Sequence, residues 1–600
     1  MTNKVKETME HSFEIYKNNI AIDSEKGSIS YLDLKEKTEM IMNEIETPDS
    51  PLKIAVYISN VEDVVSALIA CIRMNAVFIL LERVKPFSRT ENIINDVECN
   101  LMITDDEGFM EMKECRSKNG YRLLQKEHFS NLHFLKFENE RDRDLDSDCA
   151  YIYYTSGTTG NPNGIVGTYS GLHNFIQWEV KTFEMNESFR VSQCTSVSFD
   201  PFLRDILVPL YIGGKIVIPK TGTIQHIKKF PQWLAKEKIS VLHTVPALFR
   251  EIAWNQCTYK ELSLLKYIFI AGEILDVQTI KRFRENSELD HIQLINLYGP
   301  TETILAKFYH IVSENDMKEN IIPVGKPIDE NTYFDIKKDH EEQNKTGEVH
   351  ICSKYVSRGY YHNKQLTVQK FEFLSPEKIM YKTGDLGYVN ADGELVITGR
   401  IDHQIKISGK RIQPEEIESK ILLIPNVEGA AVVKLQSANA HYPMICACIK
   451  SNEIDMKQIK AQLEISLPEF MIPKLFFKLE EFPLTANRKL DRKKIEEIAE
   501  KKYLESNQII QEENQNGWSE NRKKIFNLMY QCVDKALFHM IDEHTEIQQI
   551  FDSLGYIKYL VLIEEEFNFE FDDFQLEMGY VNTVQDFLDF TEKLLINKEK

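Results

Sequence analysis

An apolar and aromatic run, Ala150-Tyr151-Ile152-Tyr153, passes without a break into Tyr154-Thr155-Ser156-Gly157-Thr158-Thr159-Gly160. A buried strand that gives way at once to two glycines, three threonines and a serine leaves few folds open. Glycine lets the backbone turn tightly, and hydroxyls with freed N–H groups wrap an anion. The loop reads as a phosphate cradle rather than an ordinary surface loop. It is not the Walker form, which ends in Gly-Lys-Ser/Thr.

The flanking sequence fits a layered fold. Ile54-Ala55-Val56-Tyr57-Ile58 has the pattern of a buried strand, and Val61 to Met74 places apolar residues at helical spacing. Leu101-Met102-Ile103-Thr104 and Lys215-Ile216-Val217-Ile218 are further short strands. Strands alternating with helices over about residues 10–400 predict α/β layers around largely parallel sheets. A chain of 600 residues, 42% of them apolar, has length for several cores. A net charge of −21 argues against a nucleic-acid partner. The ten cysteines are scattered, with Cys446 and Cys448 the only close pair, which reads as reduced thiols in the cytoplasm. No signal-peptide pattern opens the chain, and no apolar run is long enough to span a membrane.

The wider loop, YTSGTTGNPNG, resembles the phosphate loop of the adenylate-forming superfamily, which usually reads TSGTTGKPKG. Both lysine positions are asparagines here, Asn161 and Asn163, which hydrogen-bond a phosphate but do not neutralise it. The other motifs follow in the family's order. Asn296-Leu297-Tyr298-Gly299-Pro300-Thr301-Glu302-Thr303 matches the YGPTE segment. There Tyr298 offers a face to adenine, Thr301 a hydroxyl to phosphate and Glu302 a hard oxygen to Mg²⁺. Tyr381 to Gly387 matches YKTGDLG, in which Asp385 takes the ribose hydroxyls. Gly399 to Ile412 resembles the hinge segment, with Arg400 on the nucleotide, Asp402 as the pivot and Gly409 lining a thiol tunnel. Pro483 to Arg492 resembles PLTxNGKxDR, so Lys489 stands at the catalytic lysine, with Arg488 in place of the usual glycine.

The resemblance also implies a substrate pocket. Asp200, in Ser198-Phe199-Asp200-Pro201-Phe202, stands where amino-acid-activating members hold the substrate ammonium. The remaining pocket positions are Pro201, Arg204, His243, Phe269, Ala271, Leu297, Leu305 and Ala306. Arg204 is unusual among them and suits an acidic or strongly polar side chain.

Near the C-terminus, Phe551-Asp552-Ser553-Leu554 followed by Glu564-Glu565-Glu566-Phe567 resembles the DSL pattern of acyl and peptidyl carriers. Ser553 is then the attachment point of 4′-phosphopantetheine at a helix N-terminus, where a phosphodiester is favoured. Tyr559, Leu560, Ile563 and Phe567 form a core stripe, as do Ile525-Phe526, Met529, Val533 and Leu537. The surface is acidic, with eight acids against one lysine between Phe551 and Tyr580.

The expected organisation is a large adenylation core over 10–400, a small α+β subdomain over 401–497, a linker over 498–520 and an all-α four-helix carrier over 521–600. The resemblance implies an amino-acid ligase of the nonribosomal peptide synthetase kind using ATP and Mg²⁺. Its partners are the amino acid, a phosphopantetheinyl transferase and a downstream synthetase or tailoring enzyme. The rival readings are a carrier-loading ligase for an aryl or fatty acid, and a decayed nucleotide-binding partner protein.

Overall fold

A computed structural model describes residues 3–598 apart from 46–51, 84–85, 115–120, 125–130, 138, 140–144, 156–161, 221, 225–228, 255–261, 319–320, 338–345, 376–377, 402–403, 408, 426, 436–443, 452–455, 484–489, 514–518, 530–546, 548–552, 568–570 and 572–582. The chain forms two compact units. One comprises Met1–Thr221, Pro231–Gln413 and Ser466–Pro468; the other comprises Gly222–Phe230, Pro414–Ile465 and Glu469–Lys600.

Two mixed sheets with parallel strands at their centres form most of the first unit. The predicted strands appear as Lys53–Tyr57, Leu101–Asp105, Cys149–Thr155 and Lys215–Val217, and the predicted helix as Val61–Arg73. Lys53–Tyr57 and its parallel neighbours Val77–Leu80 and Leu101–Asp105 occupy the middle of a seven-stranded sheet. Their residues are almost all buried, as parallel strands covered on both faces must be. A nine-stranded sheet has Val241–Thr244, Tyr267–Ala271 and Gln293–Tyr298 side by side and parallel.

The alternation predicted through residue 400 ends early. A five-stranded antiparallel sheet occupies Tyr333–Arg400, with the short helix Lys364–Lys370 in it. Gly347–Ser353 pairs there with Lys378–Val389 across the intervening helix and the strand Phe371–Ser375, which lies on the other side of Lys378–Val389. The Asn390–Gly393 turn joins Lys378–Val389 to Leu395–Arg400, with Gly393 at φ +77.

In the second unit, Val427–Leu435 pairs antiparallel with Met444–Ser451, which pairs parallel with Leu475–Lys478. Cys446 and Cys448 lie on the core face of that sheet, two residues apart and buried. The helix Arg492–Glu513 runs through the expected subdomain boundary at 497 and into the stretch read as a linker. Ile495, Ala499 and Tyr503 give it an apolar stripe that packs into the sheet's core.

The C-terminal part is helical. Glu520–Met529, Ser553–Phe567 and Val584–Lys598 are its helices among the described residues. Ile525, Phe526, Met529, Tyr559, Leu560 and Ile563 are buried together, with Phe567 partly buried against them. Val533 and Leu537 lie outside the described residues. The Tyr559 hydroxyl donates to the Ile525 carbonyl at 2.9 Å, which satisfies the one polar atom on that stripe.

Gly167 shows how tightly the phosphate-loop strand is held. It sits opposite Tyr151, and a Cβ there would lie 2.0 Å from the Tyr151 ring. Gly167→Val should destabilise the first unit by about 1–3 kcal/mol through overpacking. Urea denaturation followed by tryptophan fluorescence checks this; an unchanged midpoint contradicts it.

Candidate active site

The helix Pro201–Tyr211 begins at Asp200, with Pro201 at its first position, where a missing N–H costs nothing. Asp200 is 6% exposed. Its Oδ1 accepts from the Thr301 hydroxyl at 2.9 Å, and its Oδ2 from the Leu305 N–H at 3.3 Å. The turn presenting that N–H is strained: Ile304 and Leu305 have φ of 64 and 58, a region side chains rarely adopt. Gly299 makes room for it, since a Cβ there would meet the Leu305 carbonyl at 2.5 Å and the Ala306 Cα at 2.7 Å. Burial pushes the Asp200 carboxyl up to about 6, against the hydrogen bonds from Thr301 and Leu305.

The sheet supplies the adjoining wall. His243 lies beside Phe269, and Ala271 beside Leu297, on parallel strands. Phe269 and Ala271 are two apart, so all four side chains leave one face. His243 is enclosed, with Nδ1 at 2.8 Å from Asp205 and Nε2 at 2.9 Å from Glu179. Both ring nitrogens are therefore committed inside the protein, and His243 offers a ligand only its ring surface. Glu179 was not anticipated. An acid on the apolar stripe of Leu172, Phe175 and Ile176 was the available signal.

The expected nucleotide contacts converge. The Tyr298 hydroxyl donates to Asp385 Oδ2 at 2.6 Å, and Arg400 donates to Asp385 Oδ1 at 2.5 Å. Strand register places Asp385 directly opposite Arg400. Asn296 holds the Pro323 carbonyl through Nδ2 at 2.8 Å, while its Oδ1 is buried without a partner. That orphan acceptor suits the amino group of a purine. Thr155 ends its strand opposite Asn163, and the Asn163 side chain accepts from Asn363 at 3.4 Å. Ser156, Gly157, Thr158, Thr159, Gly160 and Asn161 lie outside the described residues.

Glu302 is fully enclosed. Its Oε1 accepts from Arg411 and from the Tyr360 hydroxyl, both at 2.7 Å, while Oε2 has no partner. Burial works against the charge, but Arg411 and Tyr360 outweigh it and hold the carboxyl down to about 2. A buried carboxylate with one free oxygen fits a hard cation such as Mg²⁺ in donor type. Arg411 belongs to a hairpin of strands Ile405–Ile407 and Lys410–Ile412. At its tip the Gly409 N–H donates to Glu273 at 2.9 Å, and a Cβ on Gly272 would lie 3.3 Å from the Gly409 Cα. Neither Tyr360 nor Arg411 was anticipated as a partner of Glu302.

Asp402, Lys489 and Arg488 lie outside the described residues. The ends of the Lys489 loop are fixed: the Asp491 N–H donates to the Pro483 carbonyl at 2.9 Å. Next to it, Arg492 forks onto both oxygens of Glu418 at 2.5 and 2.7 Å. Ser553 is the first residue of its helix.

The Asp200 carboxyl sets a pH dependence. An ammonium ligand needs it ionised, so kcat/KM for such a substrate should fall about tenfold per pH unit below 6. Its folded-state pKa lies above the unfolded value, so its contribution to stability is present below pH 4 and is lost as pH rises through about 6. Asp200→Asn should therefore gain stability relative to wild type between pH 5 and pH 8. Paired thermal melts measure the difference, and a constant gap contradicts it.

Known proteins are similar to this chain in sequence and fold. The AMP-binding enzyme family model matches residues 9–361. The chain is 28% identical to zwittermicin A synthase ZmaJ of Bacillus cereus over 505 residues, 82% of this chain and 94% of that protein. It is 28% identical to tyrocidine synthase 3 of Brevibacillus parabrevis over 487 residues, 79% of this chain but 7% of that much longer protein. Its fold resembles holo-PA1221, an NRPS protein containing adenylation and PCP domains, with a TM-score of 0.76 and 19% identity over 98% of this chain and 96% of that one. The Vibrio cholerae adenylation domain AlmE, in complex with glycyl-adenosine-5′-phosphate, matches with a TM-score of 0.71 and 20% identity over 83% of this chain and 98% of that one. The chain belongs to the AMP-binding enzyme family.

Proposed function

We propose that the chain activates an amino acid with ATP and loads it onto its own carrier at Ser553. The observation that carries this reading is Asp200. An enclosed carboxylate beside an apolar wall, held by two donors and still exposed enough to meet a ligand, is what a buried ammonium requires. A fatty or aryl acid has no use for it. The fold shared with an adenylation domain holding glycyl-adenosine-5′-phosphate supports the same reading.

In the first step a substrate carboxylate oxygen attacks the α-phosphorus of ATP, and the bond to the β-phosphate breaks. Aminoacyl-AMP forms and pyrophosphate leaves. The protein's part is positioning and charge stabilisation. Asp200 fixes the ammonium, Asp385 with Tyr298 and Arg400 fixes the ribose, and Asn296 meets the adenine. Lys489 stabilises the negative charge shifting between carboxylate and phosphate. Glu302 would hold Mg²⁺, which would neutralise the phosphates. Ser553 would carry the 4′-phosphopantetheine arm after a phosphopantetheinyl transferase has acted, and the arm would supply the thiol that accepts the acyl group. A downstream synthetase or tailoring enzyme would then receive the thioester.

Amino-acid-dependent pyrophosphate exchange tests the first step. Exchange with amino acids, and none with fatty or aryl acids, is expected. Lys489→Ala should lower the rate by about 100- to 1,000-fold, roughly 2.7–4 kcal/mol of barrier, in a folded protein. Near-normal adenylation by this variant would remove Lys489 from the mechanism.

Ser553→Ala separates the steps. It should keep pyrophosphate exchange and lose covalent loading, because no hydroxyl remains to carry the arm. Intact-protein mass spectrometry after transferase, ATP and substrate treatment reads this directly. A mass gain from the arm in Ser553→Ala would place attachment elsewhere.

A further inference from the structure

Asp200 and Arg204 are one turn apart on the helix Pro201–Tyr211 and so share a face. Both are buried, at 6% and 4% exposure, yet they do not pair. Asp200 spends its oxygens on Thr301 and Leu305. Arg204 has no hydrogen-bond or ion-pair partner among the described residues, and its Nε is fully enclosed. Neither Asp205 nor Glu179 pairs with it, although Glu179 Oε2 is itself buried without a partner among the described residues. Asp205 holds His243 and the N–H groups of Cys194 and Thr195, and Glu179 holds the other side of the His243 ring. A buried guanidinium without a counter-charge is unfavourable unless something supplies one.

We propose that this counter-charge is the side-chain carboxylate of the substrate, so that the chain selects an acidic α-amino acid through Arg204. The inference rests on the amino-acid reading above and deepens it. An ammonium seated at Asp200 directs the substrate side chain along the helix. One turn advances 5.4 Å, a span that one or two methylenes and a carboxylate bridge. The guanidinium then takes the carboxylate as a forked pair. Phe269 and Leu297 form an apolar wall, so little else competes for the charge. A neutral amide of the same shape would leave Arg204 without compensation. A lysine side chain would add a second buried cation.

The test is pyrophosphate exchange by the full chain with aspartate, glutamate, asparagine, glutamine, leucine and lysine. The expected result is that one acid exceeds its own amide by about 100-fold or more in kcat/KM. Arg204→Met, which keeps length and removes charge, should erase that preference while ATP affinity measured without amino acid stays unchanged. The preferred acid should raise the melting temperature of wild type and not of Arg204→Met. Should Arg204→Met fail to fold, Arg204→Lys keeps the charge without the fork; it should retain the acid preference at reduced kcat/KM. Equal or better exchange with neutral amino acids by wild type overturns the proposal and leaves amino-acid activation standing. Retention of the acid preference by Arg204→Met also overturns it. Absence of exchange with every amino acid overturns the activation reading and this inference with it.

Discussion

The Glu302 carboxylate is charged with no water around it, and much of the site is arranged around that fact. An ionised group in such a place persists only with a cation and hydrogen-bond donors. Arg411 and Tyr360 provide them, from segments 109 and 58 residues away in sequence. Tyr360 comes from the antiparallel part of the first unit and Arg411 from the hairpin that follows it. The pair thus ties the YGPTE turn, the third sheet and the hairpin to one point. The Gly409 contact with Glu273 closes the other side of the same hairpin.

Two buried carboxylates of this site are adjusted in opposite directions by the same physics. Glu302 has a guanidinium against it and stays ionised far below neutral pH. Asp200 has only a hydroxyl and a backbone N–H, so burial prevails and its ionisation moves up to about 6. Each setting suits its expected ligand. A metal ligand must be anionic at all times. A receptor for an ammonium gains from being destabilised when empty, because the incoming charge then relieves it.

The residues proposed to hold the nucleotide could be named from the sequence because they fall in short contiguous segments. Tyr298 and Asp385 sit in such segments, and strand pairing alone then sets Asp385 opposite Arg400. The order of buried strands through the parallel sheets was legible for a similar reason, since apolar runs mark them. What the sequence did not disclose are the partners brought from a distance. Glu179 lies 64 residues from His243, and nothing local says that the two meet. Reading His243 as a pocket residue located it on the correct strand but left both its nitrogens unassigned. The stretch from 498 reads as a solvated connection, in part helical, from its polar composition; the helix Arg492–Glu513 enters it, and Ala499 and Tyr503 continue the buried stripe that Ile495 begins.

Arg204 and Asp205 show why position on a helix outweighs neighbourhood in the chain. Adjacent residues on a helix point about 100° apart, so two consecutive charges enter different environments. Asp205 turns toward the sheet and closes a network with His243 and Glu179, in which each polar contact is internal. Arg204, one turn on from Asp200, has no such partner among the described residues. The helix therefore carries one charge that is satisfied there and one that is not, and it is this second charge that the proposed acidic side chain would meet.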